Sequence, residues 1–491
     1  MPHKPKCILL AVHQGFQARY LLRTDVLRGL KKRFERVVIL TPNADEEYFR
    51  REFQKDNVTV EFFDLEKCEQ YLKKSKGQRF FILLRSFVLN GKWGIQTVDD
   101  HYQLYLRENP PKNSQEKWRI RFLHILVKSH RASKTLRRFS LALENRIFRP
   151  EIHRAIFTKY KPDIVVTTSL GNIGGGFDLF IMREAKKHGA RIVAVILSWD
   201  NTTGKGLGGV IPDHTIAWTE IMKEELIRYH DFPPEKISVG GIAHFDIYHR
   251  KEHLLPKETL FQTLRLEPAK KLIFFATKSP TSYAWNADIV RIIAEAIGRG
   301  DIVCPAQLLV RLHPLHYVVK KSRTREHLDL LDEFARLERD YPFVRIDQPE
   351  ILSDRLTMDM PESEQVKLAS ILSYTDVLVN MLSTVNIEAA LMNVPLVNVL
   401  FEGGPERRKK LRQSIDIDLH QTHNRRIVTS GATQLCATAE ELLASINAYL
   451  SDRSLNQRER ETLVEQEAGP YRGTAGTRIA NILTELGEAC V

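Results

Sequence analysis

The sequence predicts an α/β protein built from two parallel-sheet domains, the first interrupted by a helical, basic insertion. Short apolar runs recur, each followed by a polar loop and a segment of helical spacing, which is the rhythm of a parallel sheet covered on both faces. The rhythm stops between about residues 75 and 155 and then resumes. A chain of 491 residues also exceeds what one hydrophobic core usually serves, so more than one domain is expected. The expected division is 1–250, 251–475 and a closing helix at 476–491 that packs back toward the first domain.

Cys7 to Val12 is the first strand, and His13 leaves its C-terminal edge ahead of a helix through Leu21, Leu22, Val26, Leu27 and Leu30. Val37 to Leu40 and Val58 to Phe63 are the next strands. In such a sheet the site lies at the strands' C-terminal ends, where a His with a near-neutral pKa can take a proton from an attacking hydroxyl or simply pack in its loop. In the insertion, eleven Lys/Arg stand against two Glu between Lys117 and Arg154, mixed with aromatic and aliphatic residues. That composition suits an anionic membrane surface, a phosphate-linked acceptor or a solvated helical layer.

Pro162 to Thr168 restores the strand pattern, followed by Gly171-Asn172-Ile173-Gly174-Gly175-Gly176 and a helix from Phe177 to Lys187. Gly174 and Gly175 at that junction let a ligand approach the backbone closely. Arg191 to Leu197 delivers Asp200 and Asn201 to the sheet edge. Asp200 there is a general base, an acceptor anchor or part of an Asx turn. His214 to Trp218 and Ile237 to Ile242 complete the half, and the polar stretch Arg250 to Lys270 is the expected hinge.

The second half opens with Leu272 to Ala276 and the loop Thr277-Lys278-Ser279-Pro280-Thr281-Ser282, whose ammonium and hydroxyls suit a diphosphate. Leu308 to Val310 exits as Arg311-Leu312-His313-Pro314, where the proline fixes the backbone beyond the imidazole. The stretch from Asp376 to Val399 is a strand, a turn, a helix and a strand. Ser383 and Thr384 sit where the helix begins, as N-cap types that either close their own helix or hold an anion at its N-terminus. Glu388, four residues after Thr384, shares that helix face and reaches sugar hydroxyls. Asn393 ends the helix in a left-handed cap and Pro395 forbids its continuation.

Hydrophobic residues at 43% and charged residues at 27% are those of a globular chain, and no run matches a transmembrane helix of roughly 18 apolar residues. The opening residues do not read as a signal sequence. Five widely separated cysteines, without zinc or redox spacing, fit a reducing cytoplasm. The net charge of +12 calls for an anionic partner. No nucleic-acid module accompanies it, so nucleic acid is not expected.

Four motifs in order, Ile237-Ser238-Val239-Gly240-Gly241-Ile242-Ala243-His244-Phe245-Asp246, Phe274 to Thr281, Val310 to Pro314, and Asp376 to Pro395, resemble those of GT-B glycosyltransferases. The nearer resemblance is to the branch of CDP-glycerol glycerophosphotransferases, bacterial surface-polysaccharide transferases and hydrolysing UDP-N-acetylglucosamine 2-epimerases. It covers roughly residues 210 to 400. The resemblance implies two Rossmann-like domains, an N-terminal acceptor domain and a C-terminal nucleotide-sugar domain. It also implies that Lys278, Ser279, Arg311, His313, Ser383 and Thr384 hold the donor phosphates and Glu388 the ribose or sugar hydroxyls. Thr277-Lys278-Ser279 and Asn380-Met381-Leu382 depart from the glycerophosphotransferase pattern and favour a sugar donor.

The expected function is transfer of a sugar from a nucleotide-activated donor to a hydroxyl of a glycan or lipid-linked acceptor, in surface polysaccharide or glycolipid synthesis. The catalytic base is His13 or Asp200, and the phosphate-loop candidates on the acceptor side are Gly174, Gly175 and Asn201. No cofactor beyond the donor and no metal is expected, since the donor loops carry no D-x-D motif. The chain is expected in the cytoplasm, with the inner membrane face as one partner of the insertion. The alternatives are a glycerophosphotransferase, a nucleotide-sugar 2-epimerase, and a non-catalytic binder of anionic polymers.

Overall fold

The computed structural model describes residues 5–172, 176–317, 325–403 and 415–489. The chain forms two compact units, one of residues 1–244, 355–357 and 469–491, the other of residues 245–354 and 358–468. The change of unit at Phe245 precedes the polar stretch read as a hinge, part of which is a helix of the second unit, Lys257–Leu264.

The first unit holds a seven-stranded parallel sheet in the order β3-β2-β1-β4-β5-β6-β7. Its strands are β1 (Cys7–Ala11), β2 (Arg36–Thr41), β3 (Val58–Phe62), β4 (Ile164–Thr167), β5 (Arg191–Val195), β6 (His214–Ala217) and β7 (Ile237–Val239). Both faces of β1 are buried. Ile8, Leu10 and Val12 enter one core with Ile479, Ala480 and Leu483 of the closing helix Ala475–Glu488, while Cys7, Leu9 and Ala11 enter the other with Phe180 and Met182. That two-sided burial explains why the strand reads as one apolar run. The expected helix after His13 is broken in two. A π-helical segment spans Ala18–Leu22, and α1 (Asp25–Arg33) restarts from Thr24, whose hydroxyl accepts from Val26 N–H.

Between β3 and β4 lie helices that include α2 (Lys76–Ser86), α3 (Gln96–Glu108), α4 (Ser114–Ala132) and α5 (Lys134–Ile147). They share a small core of Leu84, Phe87, Val98, Tyr102, Leu123, Val127 and Leu141. A buried ion cluster ties them to α6 (Phe177–Lys187). Glu144, without exposed surface, accepts from Arg85 Nε at 2.9 Å, Arg183 Nη2 at 2.9 Å and Gln78 Nε2 at 2.6 Å. Two of the basic residues counted in the sequence are likewise engaged, Arg131 by Asp99 and Arg137 by Asp231.

The second unit holds a six-stranded parallel sheet in the order β10-β9-β8-β11-β12-β13. Its strands are β8 (Lys271–Ala276), β9 (Ala306–Arg311), β10 (Val344–Asp347), β11 (Val377–Asn380), β12 (Leu396–Val399) and β13 (Thr433–Cys436). Phe274 pairs with Leu309 on one side and Leu378 on the other. The helices that bear on the site are α7 (Asn286–Arg299) and α8 (Val385–Leu391). In both sheets the winding direction reverses beside the first strand, between β1 and β4 and between β8 and β11. Such a reversal opens a crevice at the strands' C-terminal ends.

Candidate active site

In the first unit, β1 and β4 are the strands that flank the reversal, and His13 follows β1 directly. Its Nε2 lies 3.0 Å from Asp178 Oδ1, and both side chains are 1% exposed. An ionised carboxylate only accepts, so against Asp178 Nε2 carries the proton, with the Gln17 amide nitrogen a longer contact at 3.3 Å, and Nδ1 keeps the lone pair. That Nδ1 is buried and has no partner among the described residues. An orphaned buried acceptor costs roughly 1–3 kcal/mol, so its persistence calls for an explanation. The ring is held in place: His13 N–H donates to Gln17 Oε1 at 2.6 Å, and Phe63 and Phe177 pack at centroid distances of 5.6 and 5.7 Å. Asp178 is fixed in turn, its Oδ2 accepting from Ser169 Oγ at 2.6 Å and Thr168 N–H at 3.3 Å.

Asp200 lies after β5, two strands from β1, or about 10 Å at the usual strand spacing. Its Oδ1 accepts from Ser198 Oγ at 2.5 Å and its Oδ2 is 2.9 Å from Lys205 Nζ. The Asp200 charge raises the Lys205 pKa against the opposing effect of burial. A carboxylate held by an ammonium in this way is a poor proton acceptor. Asn201 begins the short helical turn Asn201–Gly204, its N–H donating to Ser198 O at 3.1 Å. The loop then presses on α2: at Gly206 φ is +71° and an added Cβ would stand 2.4 Å from Arg85 O, so only glycine fits. Gly174 and Gly175 lie outside the described residues.

In the second unit the loops after β8, β9 and β11 leave one sheet edge side by side, bringing Lys278, Ser279, His313, Ser383 and Thr384 to it. The first two loops are bonded together. His313 N–H donates to Thr277 Oγ1 at 2.7 Å, and His316 Nε2 donates to Lys278 O at 3.1 Å. Leu315 N–H donates to His313 Nδ1 at 3.2 Å, which places the neutral ring's proton on Nε2. Asn286, buried at the start of α7, accepts from Lys278 N–H at 2.9 Å and donates to Tyr283 O at 2.6 Å, setting the loop's shape. Ser279 Oγ bonds Thr281 Oγ1 at 2.8 Å.

Ser383 and Thr384 do not cap their helix. α8 begins at Val385, Thr384 is already in helical conformation, and no side-chain cap bond forms. Both hydroxyls lack a hydrogen-bond partner among the described residues. The turn is supported instead by a buried ladder of amides. Asn386 Nδ2 donates to Ser383 O at 3.0 Å, Asn398 Nδ2 to Asn386 Oδ1 at 3.0 Å and to Thr433 Oγ1 at 2.7 Å, with Asn380 3.3 Å from Asn386. Asn393 has φ +51°, the left-handed cap expected of it. Glu388, one turn into α8, accepts a hydrogen bond from Tyr248 Oη.

The two donor-loop cations are both engaged. Lys278 Nζ sits against the Asp418 carboxylate. Asp418 is 140 residues from Lys278 in the chain, so only folding brings its carboxylate to the donor loop. Arg311 is buried and bonded to Asp347 and, at 2.7 Å, to Glu364. Its guanidinium therefore joins β9 to β10 and to the helix Glu362–Tyr374.

No family model matches the sequence, and no curated protein matches it. Among solved structures the chain is similar to the UDP-GlcNAc 2-epimerase from Neisseria meningitidis bound to UDP-GlcNAc, with 12% identity over 98% of this chain and 100% of that one, and a TM-score of 0.54. It is also similar to S. aureus MnaA in its UDP co-structure (11%, 97% and 96% covered, TM-score 0.53) and to the UDP-GlcNAc 2-epimerase from Methanocaldococcus jannaschii (15%, 98% and 99%, 0.50). At such identities the likeness is one of fold. Two Rossmann-like units in one chain, spanned nearly end to end by these alignments, define the GT-B architecture.

Proposed function

We propose that the chain uses a nucleotide-activated sugar and transfers its glycosyl group to a hydroxyl of a glycan or lipid-linked acceptor, in the synthesis of a surface polysaccharide or glycolipid. The observation that carries this reading is His13, a buried imidazole oriented by Asp178 with its second nitrogen unpartnered among the described residues. The acceptor hydroxyl gives its proton to Nδ1 while its oxygen bonds to the anomeric carbon. The bond from that carbon to the donor phosphate breaks, and its electron pair leaves with the nucleotide. The imidazolium so formed is stabilised by the Asp178 carboxylate beside it.

In the second unit, the Ser383 and Thr384 hydroxyls and His313 Nε2–H are assigned to the departing phosphate, and Glu388 to a ribose or sugar hydroxyl. Lys278 reaches a phosphate only by leaving Asp418, and Arg311 is left out as a ligand because two carboxylates already hold it. Asp200 is assigned to holding its loop rather than to proton transfer. The reading places the chain in the cytoplasm, peripheral to the inner membrane face.

The fold likeness to 2-epimerases favours a second reading, epimerisation of the nucleotide-sugar itself. That reaction removes a proton from one face of the sugar ring and returns one to the other, and needs no acceptor. Thermal-shift measurements with UDP, CDP, CMP and GDP select the nucleotide, and the matching sugar donor is then incubated with and without a glycolipid extract. Nucleotide release that requires the extract supports transfer, and an altered sugar formed without it supports epimerisation. A flat thermal response to every nucleotide overturns both.

A further inference from the structure

Helices α4 and α5 carry apolar side chains on two sides. Leu123, Val127 and Leu141 enter the insertion's core. Trp118, Phe122 and Ile125 on α4, and Phe139, Leu143 and Ile147 on α5, stand in solvent, Trp118 and Phe139 being 69% and 62% exposed. Steps of three and four residues put each set on one stripe of its helix. Scattered exposed apolar residues are ordinary, but a stripe of them on each of two successive helices marks a surface that is covered in use.

The flanks of the stripes are basic. Arg119, Arg121 and Lys128 on α4, and Arg138 and Arg146 on α5, are exposed and have no carboxylate partner among the described residues. Beside α5 opens a cleft of about 420 Å³ with Leu141, Val210 and Ile211 in its lining. Its cations include Arg183 and Lys187, which pair with Glu144 and Glu151. Arg138, Arg146, Arg149 and Lys186 line the same cleft with no such partner among the described residues. Arg146 lies four residues after Ala142 of the cleft and three after Leu143 of the stripe, so cleft and stripe meet along one edge of α5.

We propose that this face docks on a membrane containing anionic phospholipid, the two stripes entering the acyl boundary and the cleft taking a phosphate headgroup. Charge complementarity selects the occupant. A second copy of the chain would bring like-charged rims together, and nucleic acid offers nothing for Ile125, Leu143 and Ile147 to bury against. Basic flanks beside an aromatic and aliphatic stripe are the pattern of a helix lying in the membrane interface. Among the described residues no helix is long and apolar enough to cross a membrane, so the attachment is in-plane. The inference rests on and deepens the peripheral membrane attachment proposed above, but it uses none of the residues assigned to the nucleotide-sugar, so failure of one leaves the other standing.

The test is sedimentation of the full chain with vesicles of phosphatidylcholine, with and without phosphatidylglycerol. Binding is expected only with the anionic lipid. The triple variant Phe122→Ser, Phe139→Ser, Ile147→Ser should weaken it at least about tenfold through lost apolar burial. The pair Arg146→Glu, Arg149→Glu should weaken it by about tenfold or more through lost headgroup attraction. All five side chains are exposed, so both variants should keep the wild-type melting temperature, and soluble glycerol phosphate at matched ionic strength should not displace the protein. The proposal is overturned by equal binding to both vesicle types, by no binding, by full binding of the triple variant, or by displacement with glycerol phosphate. It is also overturned if sedimentation equilibrium shows a dimer that the triple variant abolishes.

Discussion

Replacing Asp178 by Asn tests the acid–base assignment at constant volume. Asp178 Oδ2 accepts from Ser169 Oγ at 2.6 Å and from Thr168 N–H at 3.3 Å, so the amide oxygen of Asn takes that place. The NH2 group is then set at the Oδ1 position, 3.0 Å from His13 Nε2. Two N–H donors cannot face each other, so the imidazole is driven to the tautomer with its proton on Nδ1. The lone pair assigned to the acceptor's proton is lost. A second effect runs the same way, because the imidazolium loses its counter-charge. At 3.0 Å and an effective dielectric constant of about 20, that attraction is roughly 5 kcal/mol before desolvation is subtracted.

General-base catalysis is worth about 10²–10⁴-fold, and a tautomer-inverting Asp-to-Asn change in a triad costs about 10⁴-fold. We therefore expect kcat to fall by about 10³-fold in Asp178→Asn, measured as acceptor-dependent nucleotide release. The donor KM should stay within about threefold, because the groups assigned to the donor belong to the other unit. Adding His13→Ala to Asp178→Asn should cost little beyond His13→Ala alone, since the two act as one device. A kcat for Asp178→Asn within tenfold of wild type, or a loss confined to donor KM, would refute the assignment.

The hydroxyls and the amide ladder of the second unit should separate binding from stability. Ser383→Ala with Thr384→Ala should weaken nucleotide binding about tenfold or more while moving unfolding free energy by less than about 0.5 kcal/mol, since neither hydroxyl has a protein partner among the described residues. Asn386→Ala should cost roughly 2–4 kcal/mol in urea unfolding, because Asn380, Asn398 and Ser383 O lose partners in a buried site. His230 is buried, its Nε2 donating to Thr202 O at 2.8 Å, and burial pushes its pKa down to about 4. The unfolded chain, with a His pKa of about 6.5, therefore binds the extra proton first, and stability falls by up to about 3 kcal/mol as pH drops from about 6.5 to 4. Unfolding free energies of His230→Gln at pH 7 and pH 5 should lack that His230 contribution, and an unchanged pH slope would rule it out.

The strands were legible because burial on both faces writes itself as apolar runs, as at Cys7 to Val12 and Leu272 to Ala276. β13 was not, because Thr433-Gln434-Leu435-Cys436 has no such run and Thr433 instead completes the amide ladder. The edge positions of His13, Lys278, His313 and Ser383 were legible from the same runs, since each follows one directly. The partner of His13 was hidden by a separation of 165 residues. One signal for it exists: Asp178 stands in the first turn of the helix after β4, and the strand order sets β4 beside β1. Arg311 read as a phosphate ligand because nothing local announces Asp347 and Glu364, which come from a neighbouring strand and a helix. The ladder of Asn380, Asn386 and Asn398 read as a turn, a helix position and a strand position, since only folding stacks them.

The engagement of Lys278 and Arg311 by carboxylates bears on how the second unit would hold a nucleotide. A free cation in a donor loop would attract the diphosphate through a field that salt screens. Here Asp418 neutralises Lys278, while Asp347 and Glu364 surround Arg311. The donors left at the edge are neutral: the Ser383 and Thr384 hydroxyls, on a turn held in place by the Asn386 ladder. Such dipoles act over a hydrogen-bond length and are little affected by ionic strength. The nucleotide Kd, measured by calorimetry, should therefore change by less than about threefold between about 0.05 and 0.5 M salt, where the Debye length falls well below 10 Å. A Kd that rises tenfold or more would mean that a cation carries the phosphate after all. If Lys278→Gln then removed that salt dependence, the ammonium would have exchanged Asp418 for the ligand, and the neutral-donor account of the site would fail.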